Sequence, residues 1–488
     1  MSFASPLFLW YFLPAVLTAV LVAPRSWRNG IVAAASLVFY AVGAGPATLL
    51  LLACMVVNYV GGPAVAPQAV QPEAGEPDGG EPEPKRRRRI LICVIVFDVA
   101  VLVIWKYAGF ASVQAARLAS LTGFDLPTVS LALPIGISFY TFHHVSYVVD
   151  IYRGERQALR KKTPFVAYIA MFPQLVAGPI VRYREIADQL TQPRNHRLDD
   201  IAAGFPRFAL GLTKKVVIAD ALAPMVDACF ATPADQMTTA NAWLGAIGYT
   251  LQLYFDFSGY SDMAIGLGRM LGFTLPENFA RPYSSASITE FWRRWHMSLS
   301  RWFRDYVYIP LGGNRHGVAR TYRNLWIVFA LVGLWHGANW TFLVWGLYHG
   351  TALVIERLVI ERRRGWAVAA AGPARRALTL LIVVFGWVLF RSPDLSTALV
   401  FLRHMVIPDL AGLTDVVDAS LTHQRLVILL LAAAVFVLPA QPITDRCLES
   451  VRSRPAIALR AGVRTAGLLY AALLVTTGTF SPFLYYRF

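Results

Sequence analysis

Two histidines of this sequence stand where imidazole chemistry would be expected. His336 falls in Leu334-Trp-His-Gly-Ala-Asn-Trp340, between apolar stretches at 324–335 and 341–358. Desolvating an imidazole costs free energy unless it is hydrogen-bonded, and an ionisable group inside a membrane segment is a functional candidate by default. Imidazole titrates near neutrality, so general-base work is the chemistry on offer; the bland alternative is a satisfied core histidine. His296 falls in the stretch 281–315, which is too charged to span lipid and is rich in Trp and Tyr. Its apolar and basic residues mix at helical spacing, which fits an interfacial helix with aromatic anchors. The functional alternative turns His296, Asp305, Arg293, Arg294 and Arg304 toward a cavity for an anionic ligand, and spacing alone leaves the two readings open. His349 is the weaker candidate, more consistent with packing. The adjacent His143 and His144 point about 100° apart on one helix and make a poor metal site. No histidine pair has zinc spacing, and no Gly-x-Ser-x-Gly elbow, P-loop or dinucleotide fingerprint is present.

The elements that must position these residues are membrane helices. Of 488 residues 56% are hydrophobic and only 15% charged, against roughly 25% charged in soluble proteins. A spanning helix needs about 20 mostly apolar residues. Candidates lie near 6–23, 46–61, 90–105, 131–151, 165–181, 324–340, 341–358, 376–390, 425–440 and 463–482, with a short or re-entrant run at 31–43. The stretches 203–222 and 243–271 carry Lys214, Lys215, Asp220, Asp256 and Asp262. Lipid tolerates neither charge nor broken backbone, so these helices are expected inside the protein or along a cavity. The expected fold is all-α: one membrane-embedded domain over 1–488, with 10–13 transmembrane helices plus interfacial and re-entrant helices around a central cavity. Within it, 324–358 is the helix pair carrying His336.

The net charge of +16 resides in basic clusters between apolar runs, as the positive-inside rule expects; it does not form a nucleic-acid-binding domain. Five clusters, at 25–28, 85–89, 153–162, 362–376 and 446–460, fall on one side of an alternating path that starts outside, which makes that side the cytoplasm. Residues 63–89, rich in Pro, Gly and Glu and ending in Lys-Arg-Arg-Arg-Arg, have the composition of a disordered cytoplasmic loop. The first apolar run has no basic segment before it and no clear cleavage site after it, so it reads as a retained helix. The four cysteines, scattered among apolar runs, read as packing residues.

Several motifs together carry a resemblance. They are Phe172-Pro-Gln-Leu-Val-Ala-Gly-Pro-Ile180, Gly211-Leu-Thr-Lys-Lys-Val-Val-Ile-Ala-Asp220, Tyr254-Phe-Asp-Phe-Ser-Gly-Tyr-Ser-Asp262, Glu277-Asn-Phe, Phe291-Trp-Arg-Arg-Trp-His296, Trp302-Phe-Arg-Asp-Tyr306, Ile309-Pro-Leu-Gly-Gly-Asn-Arg315 and Leu334-Trp-His-Gly-Ala-Asn-Trp340. This set resembles the membrane-bound O-acyltransferases, in the branch of the bacterial alginate O-acetylation and teichoic-acid D-alanylation membrane proteins. The resemblance runs over most of 1–358; beyond about 360 only hydropathy fits.

The resemblance implies that His336 is catalytic and that His296 is the second functional histidine. It implies transfer of an acyl group, acetyl first among them, from a cytoplasmic thioester such as acetyl-CoA toward an extracytoplasmic polysaccharide or cell-wall polymer. Asn339 would hydrogen-bond in the site, and Arg293, Arg294 and Arg304 would attract the anionic donor or anchor to lipid phosphates. No tightly bound cofactor or metal is expected. The implied partners are an acyl carrier or CoA, membrane lipids and a separate hydrolase-like protein that completes the transfer outside the bacterial inner membrane. The rival readings are a transporter, which the absence of an internal repeat disfavours, and a scaffold subunit of a secretion complex.

Overall fold

The computed structural model describes residues 2–67, 84–192, 198–362, 372–437, 454–478 and 483–484. Among these residues all regular structure is helical, as the apolar runs require. Among the described residues four helices are both long and apolar enough to cross a bilayer alone: Ala47–Val65, Lys85–Ser120, Trp340–Val359 and Gly372–Arg391. Shorter apolar helices lie at Phe8–Val22, Leu395–Val406, His423–Phe436 and Thr465–Thr476. Rows of exposed Leu, Ile and Val on the long helices, such as Val56, Val60, Ile92, Val96 and Val103, are a surface that water would not tolerate at this extent and that lipid solvates.

The chain divides into two compact units. The first comprises Met1–Phe205 and Ala264–Pro276. Its helices are α1 (Leu13–Val22), α2 (Arg28–Ala44), α3 (Ala47–Val65), α4 (Pro84–Ser120), α5 (Ile137–Tyr152), α6 (Lys162–Ala170), α7 (Phe172–Leu175) and α8 (Tyr183–Thr191). The run at 31–43 is a full helix, stopped by Gly45 at φ 54°, a left-handed position that glycine adopts without a Cβ clash. The candidate span at 165–181 is broken instead of continuous. Met171 leaves the helical region (φ −47°, ψ 111°) between α6 and α7, and Pro173, in the first turn of α7, has no N–H with which to continue the hydrogen bonding of α6. The break lies wholly in protein, since residues 167–183 are buried, the one setting in which a membrane protein tolerates it.

The 63–89 stretch also differs from expectation at its ends. α3 runs on to Val65, and the Lys-Arg-Arg-Arg-Arg run forms the first turns of α4, because Lys and Arg are good helix formers and Arg87 is tied to the carbonyls of Val65 and Tyr152 at 3.2 Å each. The rest of the stretch, 68–83, lies outside the described residues, as do the basic residues at 363–364, 446 and 452.

The second unit comprises Pro206–Met263 and Glu277–Phe488. α9 (Leu198–Thr213) and α11 (Thr239–Met270) contribute residues to both units. The unit adds α10 (Asp220–Phe230), α12 (Ile288–Arg294), α13 (Met297–Phe303), α14 (Val318–His336), α15 (Trp340–Arg362), α16 (Gly372–Arg391), α17 (Leu395–Val406), α18 (Asp415–Ser420), α19 (His423–Val437) and α20 (Arg454–Thr476). α14 and α15 cross at Gly333 and Gly346. A Cβ on Gly346 would stand 2.2 Å from the Phe329 carbonyl oxygen, so only glycine allows this approach, the small-residue contact typical of membrane helices.

Charges on the two interrupted stretches neutralise one another. Lys215, 1% exposed, pairs with Asp220 at 2.7 Å and Asp256 at 2.6 Å, and Lys214 pairs with Asp262 at 2.6 Å. Arg207 joins Asp262 at 2.6 Å to Glu277 at 2.7 Å. The charged residues flagged in 203–222 and 243–271 are thus partners, as buried charges must be.

Candidate active site

His336 is the last residue of α14, and the chain leaves the helix at an extended Gly337. A Cβ on Gly337 would lie 2.1 Å from the Phe342 ring, so the Trp-His-Gly turn is closed by packing. The imidazole is 5% exposed. Its neighbours are the rings of Trp335 at 4.8 Å, Trp345 at 5.1 Å and Phe390 at 5.1 Å between centroids. The C-terminal carbonyls of a helix carry partial negative charge, which favours the cation that forms if this ring takes a proton. An apolar wall with a favourable dipole is a setting for proton abstraction away from bulk water.

His296 is placed by a break. The region 281–315 is not one interfacial helix: α12 ends at Arg294, and α13 starts at Met297. Between them His296 takes φ 44°, ψ 53°, a left-handed conformation costly for a residue with a Cβ. The aromatic side chains expected to anchor in the interface are buried instead. Trp292, Trp295, Trp302, Phe291 and Phe303 are all under 8% exposed, and Trp295 packs on Trp387 at 4.8 Å and Phe279 at 5.1 Å. Protein, not lipid, is their solvent, and this favours the site over the anchor. Trp335 joins the two histidines: its ring lies 6.1 Å from His296 and 4.8 Å from His336.

One residue holds the strained turn. Asn278 Oδ1 accepts from the Ser298 backbone N–H at 3.2 Å and the Ser298 hydroxyl at 2.9 Å, and it faces His296 Nδ1 at 3.1 Å. Its Nδ2 donates to Ser261 Oγ at 3.1 Å, and its carbonyl accepts from the Met297 N–H at 2.9 Å. A backbone N–H only donates, so the side-chain atom facing it is the amide oxygen. His296 Nδ1 must then carry the hydrogen. Burial pushes this imidazole down to about 3, so the ring is neutral at pH 7 and its lone pair is on Nε2. Burial is the cause here. Ser261 adjoins Asp262 and Asn278 adjoins Glu277, so the turn is continuous with the ion-pair network of Arg207 and Lys214. The sequence alone assigns Asn278 no role. Its motif, Glu277-Asn-Phe, was visible, but nothing local tells a hub asparagine from a turn asparagine.

The remaining candidates separate. Asn339 caps α15: its Oδ1 accepts from the Thr341 N–H at 3.2 Å, and its Nδ2 donates to the Pro393 carbonyl at 2.7 Å. Its amide is therefore bonded to backbone through both its oxygen and its nitrogen. Arg294 pairs with Glu290 at 2.6 Å and Ser284 at 3.1 Å. Arg304 pairs with Asp305 at 2.7 Å, which occupies both of these donor-site candidates with each other. Arg293 is exposed and has no partner among the described residues. His349 is fully buried between Trp292, Trp345 and Tyr348, ring centroids 5.1–5.3 Å away, a packing position as expected.

Among the described residues the chain is all-helical, its long helices are faced with lipid-compatible side chains, and two buried histidines stand at helix ends, the frame of a membrane-embedded protein. Residues 155–390 match the model of the membrane-bound O-acyltransferase family, and both histidines fall inside that range. The chain is 42% identical to a probable alginate O-acetylase of Azotobacter vinelandii, over the full length of both proteins. It is 35% identical to the peptidoglycan O-acetyltransferase of Helicobacter pylori, over 83% of this chain and 79% of the relative. A teichoic acid D-alanyltransferase of Bacillus subtilis is 31% identical over 53% of this chain and 67% of the relative. The chain belongs to the membrane-bound O-acyltransferase family. It is a multi-pass membrane O-acyltransferase that takes an acyl donor as substrate, and its likeness to relatives extends past residue 358, where the legible motifs stop.

Proposed function

We propose that the chain moves an acetyl group from a cytoplasmic thioester, acetyl-CoA or an acyl carrier, to an acceptor leading to an extracytoplasmic polysaccharide, with alginate the first candidate. The full-length likeness to a probable alginate O-acetylase supports that acceptor. His336 is the general base. It takes the proton of the attacking hydroxyl, whose oxygen bonds to the thioester carbonyl carbon; the C–S bond breaks, and the thiolate leaves with a proton returned from the imidazolium. The observation that carries this assignment is the position of His336: 5% exposed, at the C-terminal end of α14, one ring away from His296. His296, with Nδ1–H held by Asn278, presents Nε2 to orient a reactant, and Arg293 is the cation left to meet an anionic donor. A separate hydrolase-like protein completes the transfer outside the inner membrane, and the N-terminus lies on that outer side.

Proteoliposomes loaded with radiolabelled acetyl thioester test this reading. Wild type is expected to pass label to an acceptor, and His336→Ala, at equal insertion, is expected to pass about 10²–10⁴-fold less. Equal transfer by the double variant His336→Ala/His296→Ala would favour a transporter or scaffold and overturn the assignment.

A further inference from the structure

The first unit holds a cavity that the acyl-transfer site does not use. It measures about 1440 Å³ and lies between the start of α2, the 154–164 segment and α8. Two basic clusters that the sequence places on one face of the membrane, 25–28 and 153–162, both contribute to its wall. Their meeting at one cavity is what a common side requires.

The floor is apolar: Leu159, Tyr183, Ala187 and Leu190 line it and are buried. The rim is cationic, and its acids are already occupied. Asp188 pairs with Arg156 at 2.9 Å, and Glu155 pairs with Arg184 at 2.8 Å. Arg25, Arg160 and Lys161 remain on the rim, exposed and without a carboxylate partner among the described residues. Three uncompensated cations around one concavity focus a positive field on it. Trp27, 69% exposed, stands at the same rim. An exposed indole beside apolar helices belongs at the headgroup level of a bilayer.

We propose that this cavity binds the phosphate headgroup of an anionic phospholipid, with its glycerol and upper acyl chain on the apolar floor. Arg25, Arg160 and Lys161 receive the phosphate, arginine by paired N–H donors and lysine as a point charge. A soluble diphosphate would satisfy the rim but leave the floor and Trp27 facing water, so the lipid is the better complement. The site is independent of the histidine chemistry.

Native mass spectrometry of the purified full-length protein, with phosphatidylglycerol, phosphatidylcholine or adenosine 3′,5′-bisphosphate added, tests it. Wild type is expected to retain phosphatidylglycerol over phosphatidylcholine. R25Q/R160Q/K161Q is expected to lose that preference by roughly fivefold per charge removed. A control with the same charge change elsewhere, R117Q/R375Q/R376Q, should keep it, and R160Q alone covers the case in which the triple variant does not fold. Equal loss in the control would reduce the effect to general membrane electrostatics and overturn the site. Retention of the bisphosphate in place of the lipid would assign the cavity to a soluble phosphate ligand and overturn the lipid assignment.

Discussion

Each unit of this molecule buries histidines among helices, and the two sets differ in a way that separates packing from chemistry. In the first unit His143 and His144 are fully buried inside α5, whose helix runs unbroken from Ile137 to Tyr152. His144 makes no hydrogen bond among the described residues; the nearest carboxylate oxygen, on Asp98, is 3.9 Å from its Nδ1 and is already bonded by Asn58 Nδ2 at 2.8 Å. In the second unit His296 and His336 sit where helices stop. One has a nitrogen fixed by Asn278, the other stands at a helix carbonyl end, and Trp335 neighbours both. A buried ionisable group is a functional candidate in any membrane protein. What distinguishes the pair at 296 and 336 is that the helix stops at each of them, and that at His296 the tautomer is fixed by Asn278.

The largest test of this contrast is a pair of substitutions. His336→Ala is expected to lower acyl transfer by about 10²–10⁴, the usual worth of a general base. His144→Phe, which keeps the volume and removes the imidazole, is expected to leave the rate near wild type. Measured rates per inserted molecule decide this, and an equal loss in both variants would erase the distinction.

A smaller effect sharpens the comparison. Asn278→Ala is expected to lower turnover by up to about 10²-fold by releasing the His296 ring, with little change in protein level. Asn278→Asp keeps an acceptor for Nδ1–H and should recover part of that loss. The ¹⁵N shifts of labelled His296 supply a readout that general loosening would not give. Wild type should show Nδ1 protonated and Nε2 bare, and the reverse tautomer in wild type would contradict the role assigned to Asn278.

The smallest effect separates binding from capping at Asn339. As a cap, Asn339→Ala should cost about 1 kcal/mol of stability and leave KM for the donor unchanged. A raised KM at unchanged melting temperature would restore the substrate contact that its motif suggests.

Much of this was legible in the sequence because its signals are local. Long apolar runs give helices, charges inside such runs give internal pairing, and His296 and His336 fall in recognisable motifs. What was not legible depends on contacts between distant segments. The break at His296 is held by Asn278 from 18 residues away, and hydropathy cannot reveal a left-handed backbone. The aromatic residues of 291–303 suit an interface and a core equally, so only their burial against Trp387 and Phe279 decides between them. Asn339, Arg294, Arg304 and Asp305 stand out as ligand-contact candidates because a sequence shows polar residues without their partners.

The central claim is that His336 does the proton chemistry while His296 positions a reactant. Donor affinity and single-turnover transfer rate, measured on purified His336→Ala and His296→Ala, test it most directly. His336→Ala is expected to bind donor as wild type does and to transfer almost nothing, while His296→Ala is expected to lose part of both. Full inactivity of His296→Ala with intact donor binding, beside substantial turnover by His336→Ala, would contradict it and exchange the two roles.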